Sequence, residues 1–130
     1  MKTDLQLLEE RVNQAYDYLM EVYNAYDRGE DDDFYEENDI EDFWTYITDS
    51  YDVEYTKTLQ GDFRGCRLAI ALGGPNIYID TQENRLEGYW GGTKFYKEFD
   101  SWDVCNEIDD IVEELVNNNF WFSRGTFPLL

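Results

Sequence analysis

The sequence predicts an α+β domain, because the spacing of its apolar residues changes twice along the chain. Between residues 5 and 26 apolar side chains recur every three or four positions, which is the period of a helix. Between residues 53 and 90 they alternate with polar side chains, as in β-strands, and the helical period returns after residue 100. At this length we expect one domain, residues 1–130. Its parts are a helical acidic part (1–50), an antiparallel sheet (51–99), a C-terminal helix (100–119) and an apolar tail (120–130).

The predicted first helix is long and has marked ends. Thr3 followed by Gln6 forms a capping box, in which each side chain accepts a hydrogen bond from the other residue's backbone N–H. Gly29 is expected to end the helix, since glycine readily adopts the left-handed conformation found after helix ends. Asn38 or Asp39 is expected to cap a second helix. The residues of that helix that face inward are Ile40, Phe43, Trp44 and Ile47.

About four short antiparallel strands are expected in the middle of the chain. They begin at Val53, cover residues 66–72 with one buried face, and continue at 77–79 and 85–90. Gly91 and Gly92 end the fourth strand or introduce a bulge. The last helix is expected to be capped by Asp100 or Ser101. Its inward stripe is Cys105, Ile108, Val112 and Leu115.

The composition argues against an enzyme. The chain has no histidine, and Cys66 and Cys105 are too far apart in sequence to form a metal-binding CxxC unit. It contains no phosphate-binding GxxxxGK[ST] loop, GxSxG elbow or HExxH helix. A pair of hydrolytic carboxylates has no diagnostic value among 30 acidic residues. We therefore expect a binding protein without cofactor or metal, and we expect both cysteines to be small buried residues, with a disulfide between them left open.

Calcium and the membrane are also not expected as partners. The run from Asp31 to Glu36 has consecutive acids and an aromatic residue, whereas a calcium loop of the EF-hand type alternates its ligands around a glycine. The first ten residues contain no apolar signal-peptide core, and no stretch of 18 apolar residues occurs anywhere. We expect a cytoplasmic protein.

The acidity is large and unevenly distributed. The formal net charge is −20, with −14 in residues 1–60 and −6 in residues 61–130. Residues 27–42 alone hold ten carboxylates and one arginine. Solubility needs a net charge of only about 2 to 8 for a small domain. General hydration, as in a halophilic protein, is the alternative explanation, but it predicts acid spread over the whole surface.

One half of the chain resembles a known group of proteins. The segment 52–116 contains GGPNIYIDT, then EGYWGG and an acidic helix with EIDDIVEEL, and it resembles small acidic proteins encoded by bacteriophages and conjugative elements. The resemblance implies a shared fold and a mobile-element origin, and it implies no catalytic residues. In size, acidity and lack of catalytic groups the whole chain is also similar to phage anti-restriction and anti-CRISPR proteins.

These features together predict a mimic of nucleic acid. If residues 27–42 were one helix, their net charges would lie roughly 2.7 Å apart, against roughly 6 Å if extended. The corresponding spacing is about 1.7 Å in duplex DNA and 3.4 Å in a single strand. Carboxylates accept bidentate hydrogen bonds from arginine, as phosphates do. The candidate partner-binding residues are Asp31, Asp32, Asp33, Phe34, Tyr35, Glu36, Glu37, Asp39, Glu41 and Asp42.

The expected partner is a basic nucleic-acid-binding protein, with a CRISPR nuclease as first choice and a restriction enzyme as second. No direct binding to nucleic acid is expected, and the oligomeric state stays open. Phe34 and Tyr35 either anchor the segment on the core or insert between basic side chains of the partner. The alternative function is a structural or regulatory module whose apolar interface includes Trp90, Phe120 and Trp121, without competition with DNA.

Overall fold

The computed structural model describes residues 1–118, which form four helices and five strands and confirm the α+β class. The elements are α1 (Asp4–Asp27), α2 (Asp32–Asn38), α3 (Phe43–Thr48), β1 (Asp52–Lys57), β2 (Phe63–Ala71), β3 (Asn76–Asp80), β4 (Arg85–Trp90), β5 (Thr93–Glu98) and α4 (Asp103–Asn117). One strand more than expected is present, because Gly91 and Gly92 form a hairpin turn that leads into β5. The predicted apolar tail, residues 120–130, lies outside the described residues.

The ends of the helices agree only in part with those predicted from the sequence. The capping box at Thr3 is formed, and Gly29, with φ +74°, follows the end of α1 as predicted. The predicted cap of the helix that contains Phe43 was wrong. Asn38 is the last residue of α2 and Asp39 takes a left-handed conformation, so the chain turns and Asp42 caps α3 instead. This difference arises because the acidic segment forms a short helix of its own.

The C-terminal helix agrees with its predicted stripe. Cys105, Ile108, Val112 and Leu115 are all buried. The predicted cap at Asp100 or Ser101 was wrong, because Trp102 occupies the N-cap position and makes no side-chain capping hydrogen bond. The Ser101 hydroxyl oxygen still accepts a hydrogen bond of 3.3 Å from the Asp103 backbone N–H. None of the helices among residues 1–118 has the length and apolar character needed to cross a bilayer.

The strands form one antiparallel meander in the order β1-β2-β3-β4-β5. Helix α1 packs on β4 and β5, α4 packs on β2, and α3 contacts both helices, so the core lies between the sheet and a helical layer. Gly88 of β4 is needed for this packing. A Cβ atom there would lie 2.4 Å from Val12 Cγ2 and 3.0 Å from Leu8 Cδ1 of α1. Leu72, predicted on the buried face of the second strand, lies just beyond β2 and is 49% exposed.

The opposite face of the sheet, called the open face below, carries a polar network around Glu87. The Glu87 side chain is only 6% exposed, and its carboxylate accepts hydrogen bonds of 3.0–3.2 Å from Arg67 and of 3.0 Å from Arg85. The two guanidinium groups lie 3.8 Å and 3.9 Å from the ring centres of Tyr78 and Tyr96. Each arginine is thus held by an ion pair and by a cation–π contact. The network ties strands β2, β3, β4 and β5 together.

Candidate functional site: the acidic surface around α2

The acidic segment folds into a short helix between two turns. Asp31 caps α2, since its carboxylate accepts a hydrogen bond of 3.0 Å from the Phe34 backbone N–H. Asp32 and Asp33 stand in the first turn, where carboxylates interact favourably with the positive end of the helix dipole. Local capping and dipole effects therefore favour a helix that has no buried residue of its own.

Helix α2 concentrates negative charge at a spacing close to that of nucleic acid. Its four carboxylates, Asp32, Asp33, Glu36 and Glu37, are all exposed. Seven residues rise about 10 Å along a helix axis, so these charges stand roughly 2.6 Å apart along that axis. The value lies between the charge spacings of a duplex and of a single strand. The density expected for a continuous helix over residues 27–42 is thus present locally, over α2 alone.

The two aromatic residues of α2 pack against the core. Phe34 and Tyr35 are partly buried, and their rings lie 6.1 Å apart in an edge-to-face contact. Arg28 stands 5.5 Å from the Phe34 ring centre and pairs with Glu30 at 3.4 Å. These contacts anchor α2 and leave only part of each ring accessible to a partner.

The remaining candidate residues lie in the turn between α2 and α3. Asp42 caps α3 by accepting hydrogen bonds from the backbone N–H and the hydroxyl of Thr45, at 2.9 Å and 2.8 Å. Asp39 and Glu41 line an open cavity of about 440 Å³ together with Tyr18. Burial raises the pKa of Glu41, and the neighbouring carboxylates raise it further. Of the three carboxylates that line this cavity, Glu36 and Asp39 are exposed and Glu41 is partly buried.

A second group of carboxylates, missed in the sequence analysis, continues the acidic surface between α1 and α4. Asp103, Glu107 and Asp110 of α4 line a cavity of about 540 Å³ with Asp27, which begins the acidic segment. The Tyr26 hydroxyl crosses this groove and donates a hydrogen bond of 3.0 Å to Glu107. Spacings of four and three residues place the α4 acids on one stripe, which was the available signal. Only the tertiary fold, in which α1 and α4 both contact α3, places Asp27 beside them.

The site offers oxygen acceptors for cationic groups. Burial raises the pKa of Tyr23 in the groove, and Asp27, Asp103 and Glu107 raise it further, which reports the negative field there. Within residues 1–118, no group of three or more acidic or cysteine side chains is arranged to hold a metal ion. Guanidinium and ammonium groups fit such a surface, because each brings several donors to acceptors that are already exposed.

The cysteines lie in the core, Cys66 on β2 and Cys105 on α4. Cys66 and Cys105 are buried and free, and burial raises the pKa of the Cys105 thiol to about 12. The Cys66 thiol donates a hydrogen bond of 3.5 Å to Asp109, and burial raises its pKa as well. A thiol with a raised pKa stays protonated at neutral pH and is a poor nucleophile.

The half-buried carboxyl of Asp109, which accepts the hydrogen bond from Cys66, is expected to affect the stability of the fold. Burial raises its pKa above the usual value, although hydrogen bonds from Thr81 and Cys66 act against the shift. Since its pKa is higher in the folded chain than in the unfolded chain, ionisation of Asp109 destabilises the fold at neutral pH, and the penalty disappears as the pH falls through the folded pKa. We expect Asp109→Asn to raise the free energy of unfolding at pH 7 by less than about 1 kcal/mol.

Urea unfolding at pH 7 and at about pH 4 measures this effect, because the gain should shrink at the lower pH, where more of the wild-type carboxyl is protonated. Asp62→Asn is the matched control, since Asp62 is exposed and the substitution leaves in place Asp110, which raises the pKa of Asp109. A loss of stability at pH 7 in Asp109→Asn would show that the hydrogen bond from Cys66 outweighs burial of the charge.

No protein-family model, curated protein or solved structure matches this chain. The site therefore rests on its own geometry. Of the residues in the alternative apolar interface, Trp90 is partly buried and packs against the core, while Phe120 and Trp121 lie outside the described residues.

Proposed function

We propose that this chain is a phage or mobile-element inhibitor that acts in the cytoplasm of a bacterial host and occupies the DNA-binding surface of a defence nuclease. An RNA-guided CRISPR nuclease is the first target, since such enzymes hold nucleic acid in a positively charged channel and read a short duplex motif with paired arginines. A restriction enzyme is the second. The carboxylates of α2 take the place of phosphates, and the α1–α4 groove extends the same surface.

The observation that carries the proposal is the exposed charge of α2. Four carboxylates on a seven-residue helix, with Asp31 and Asp39 at its ends, form a block of six acids that contains no basic residue. The formal net charge of −20 adds a long-range field that accelerates encounter with a basic surface. A surface that binds phosphates through lysine and arginine would find similar partners here.

A displacement experiment tests the proposal directly. Purified nuclease carrying its guide RNA is bound to a labelled target duplex, and the chain is added at increasing concentration. Release of the duplex in proportion to the chain added is the expected result, and a restriction nuclease with its own recognition duplex serves as the second arm. If the chain binds neither nuclease, or binds while the duplex stays bound, the proposed mechanism is wrong.

Salt dependence gives a second expected result. Binding of the chain to its nuclease should weaken steeply between about 0.1 M and 1 M salt, because the Debye length falls from about 10 Å to about 3 Å over that range. Isothermal titration or fluorescence anisotropy of the nuclease–chain pair, without DNA, measures the slope. An affinity that changes little over this range would favour the apolar regulatory module instead.

A further inference from the structure

Within residues 1–118, no helix packs extensively on the edge strand β1, and its only charges ahead of Lys57 are the acids Asp52 and Glu54. Among the described residues it ends the sheet, so one side of its backbone has no neighbouring strand there, and it packs extensively on β2 alone. Five of its six residues are exposed. Natural edge strands avoid unwanted pairing by lysines, prolines, bulges or a covering helix. Here the register shift and the lysine come together at the end, between Thr56 and Lys57, so the preceding five residues are open.

The other edge of the sheet is different. Strand β5 lies under α1, and it carries Lys94 and Lys97 along its length. The two edges therefore differ in both cover and charge. Of the two, β1 is the one open to addition of another strand.

The surroundings of β1 are suited to an extended chain. Tyr51 and Tyr55 are 71% and 46% exposed, and a cavity of about 230 Å³ lies beside them, lined also by Val53. Ser50 lines this cavity as well, and its buried hydroxyl oxygen has no hydrogen-bond partner within residues 1–118. An unpaired buried hydroxyl is destabilising, and a new donor or acceptor in the cavity would offset that cost.

Charge selects the kind of strand that β1 accepts. Asp52 and Glu54 lie opposite Ala69 and Arg67 on the open face, and no residue among 1–118 forms an ion pair with either carboxylate. Pairing of β1 with a second copy would place these acids against each other, which is destabilising, and would join two chains of net charge −20. A strand with lysine or arginine opposite the acids would instead be stabilised by each cross-strand pair of opposite charge.

We propose that β1 is a docking edge that accepts an extended basic segment of the partner as a sixth strand. The proposal rests on the proposed function, because it takes the partner to be a basic protein. Basic side chains of the added strand face Asp52 and Glu54, and its apolar side chains cover Val53 and Tyr55. Main-chain hydrogen bonds along β1 supply the affinity, and the alternation of side chains supplies the specificity.

A pair of synthetic peptides tests the docking edge. The first is a capped heptapeptide of alternating lysine and valine, and the second is its fully backbone-N-methylated analogue, which keeps the charge and loses every backbone donor. With the full-length isotope-labelled chain, the first peptide should slow amide hydrogen exchange in β1 and bind at least fivefold more tightly than the second. Equal affinity of the two peptides, or perturbations confined to α2, would overturn the proposal.

A matched pair of protein variants completes the test. D52K/E54K should reduce affinity for the first peptide at least fivefold relative to E83K/E98K, which has the same net charge and also reverses two exposed acids. An equal loss of peptide affinity in both variants would show that only overall charge matters, and it would overturn the proposal of a docking edge. This outcome is independent of nuclease binding. If the chain displaces DNA but the peptide does not protect β1, the proposed function stands and the docking edge is wrong. If the peptide protects β1 but the chain does not displace DNA, the docking edge stands and the proposed function is wrong.

Discussion

Lysine substitution of all four α2 carboxylates, Asp32, Asp33, Glu36 and Glu37, is expected to weaken binding to the target nuclease by two to three orders of magnitude. An exposed ion pair contributes about 0.2–1 kcal/mol, and reversal replaces that attraction by a repulsion of similar size. At about 0.4–0.5 kcal/mol for each attraction lost and each repulsion gained, four reversals amount to about 3–4 kcal/mol, and about 1.4 kcal/mol corresponds to a factor of ten in affinity. Duplex displacement and direct titration both measure this loss.

The control separates position from overall charge. Four other exposed acids, Asp62, Glu83, Glu98 and Glu114, lie outside the acidic segment and do not line the α1–α4 groove. Reversing them changes the net charge by the same amount and should weaken binding less than tenfold. The capping residues Asp31 and Asp42 stay unchanged, so that α2 and α3 keep their N-caps. Equal loss in the two variants would remove α2 from the mechanism and leave only long-range attraction.

The parts of the fold that sequence predicts are those determined by local chemistry. The capping box at Thr3 needs only residues three positions apart, and the stripe from Cys105 to Leu115 follows from helical period. Helix α2 has no such stripe, because four of its seven residues are carboxylates and its two aromatics are adjacent. Its start depends on the Asp31 cap, and the cap pattern alone did not distinguish a helix from a solvated loop.

Strand β5 and the α1–α4 groove depend on contacts that local sequence does not contain. Gly91 and Gly92 predict the end of a strand or a bulge, whereas the structure has a hairpin turn there, which depends on packing of β5 under α1. Asp27 and Asp103 are far apart in sequence, so their shared cavity follows from helix packing. The sequence alone therefore identifies the acidic run that folds into α2, but it does not predict that Asp27 lies beside the carboxylates of α4.

Glu87 shows the same limit within the sheet. Alternation places it on the face away from the helices, where a charged residue is normally solvated. Burial instead comes from Arg67 on β2 and Arg85 on β4, each stacked on a tyrosine ring. Removing one partner of a buried ion pair is strongly destabilising, because the other charge stays in place without compensation. Here two guanidinium groups would lose their common carboxylate, at a site where each is 25–35% exposed.

Glu87→Gln is therefore expected to lower the free energy of unfolding by about 2–3 kcal/mol, less than a fully buried pair because water still reaches both arginines. Glutamine keeps the shape of glutamate, but its NH₂ group would place two N–H donors beside guanidinium groups, which are donors as well. Urea unfolding measures this loss. The midpoint of thermal unfolding is expected to fall by roughly 10 °C, at about 4 °C per kcal/mol. Glu98→Gln is the control, since Glu98 lies opposite Arg85 yet is exposed, and should change stability by less than about 0.5 kcal/mol. Similar values for the two variants would mean that the open face is held by its tyrosines, with the ion pairs contributing little.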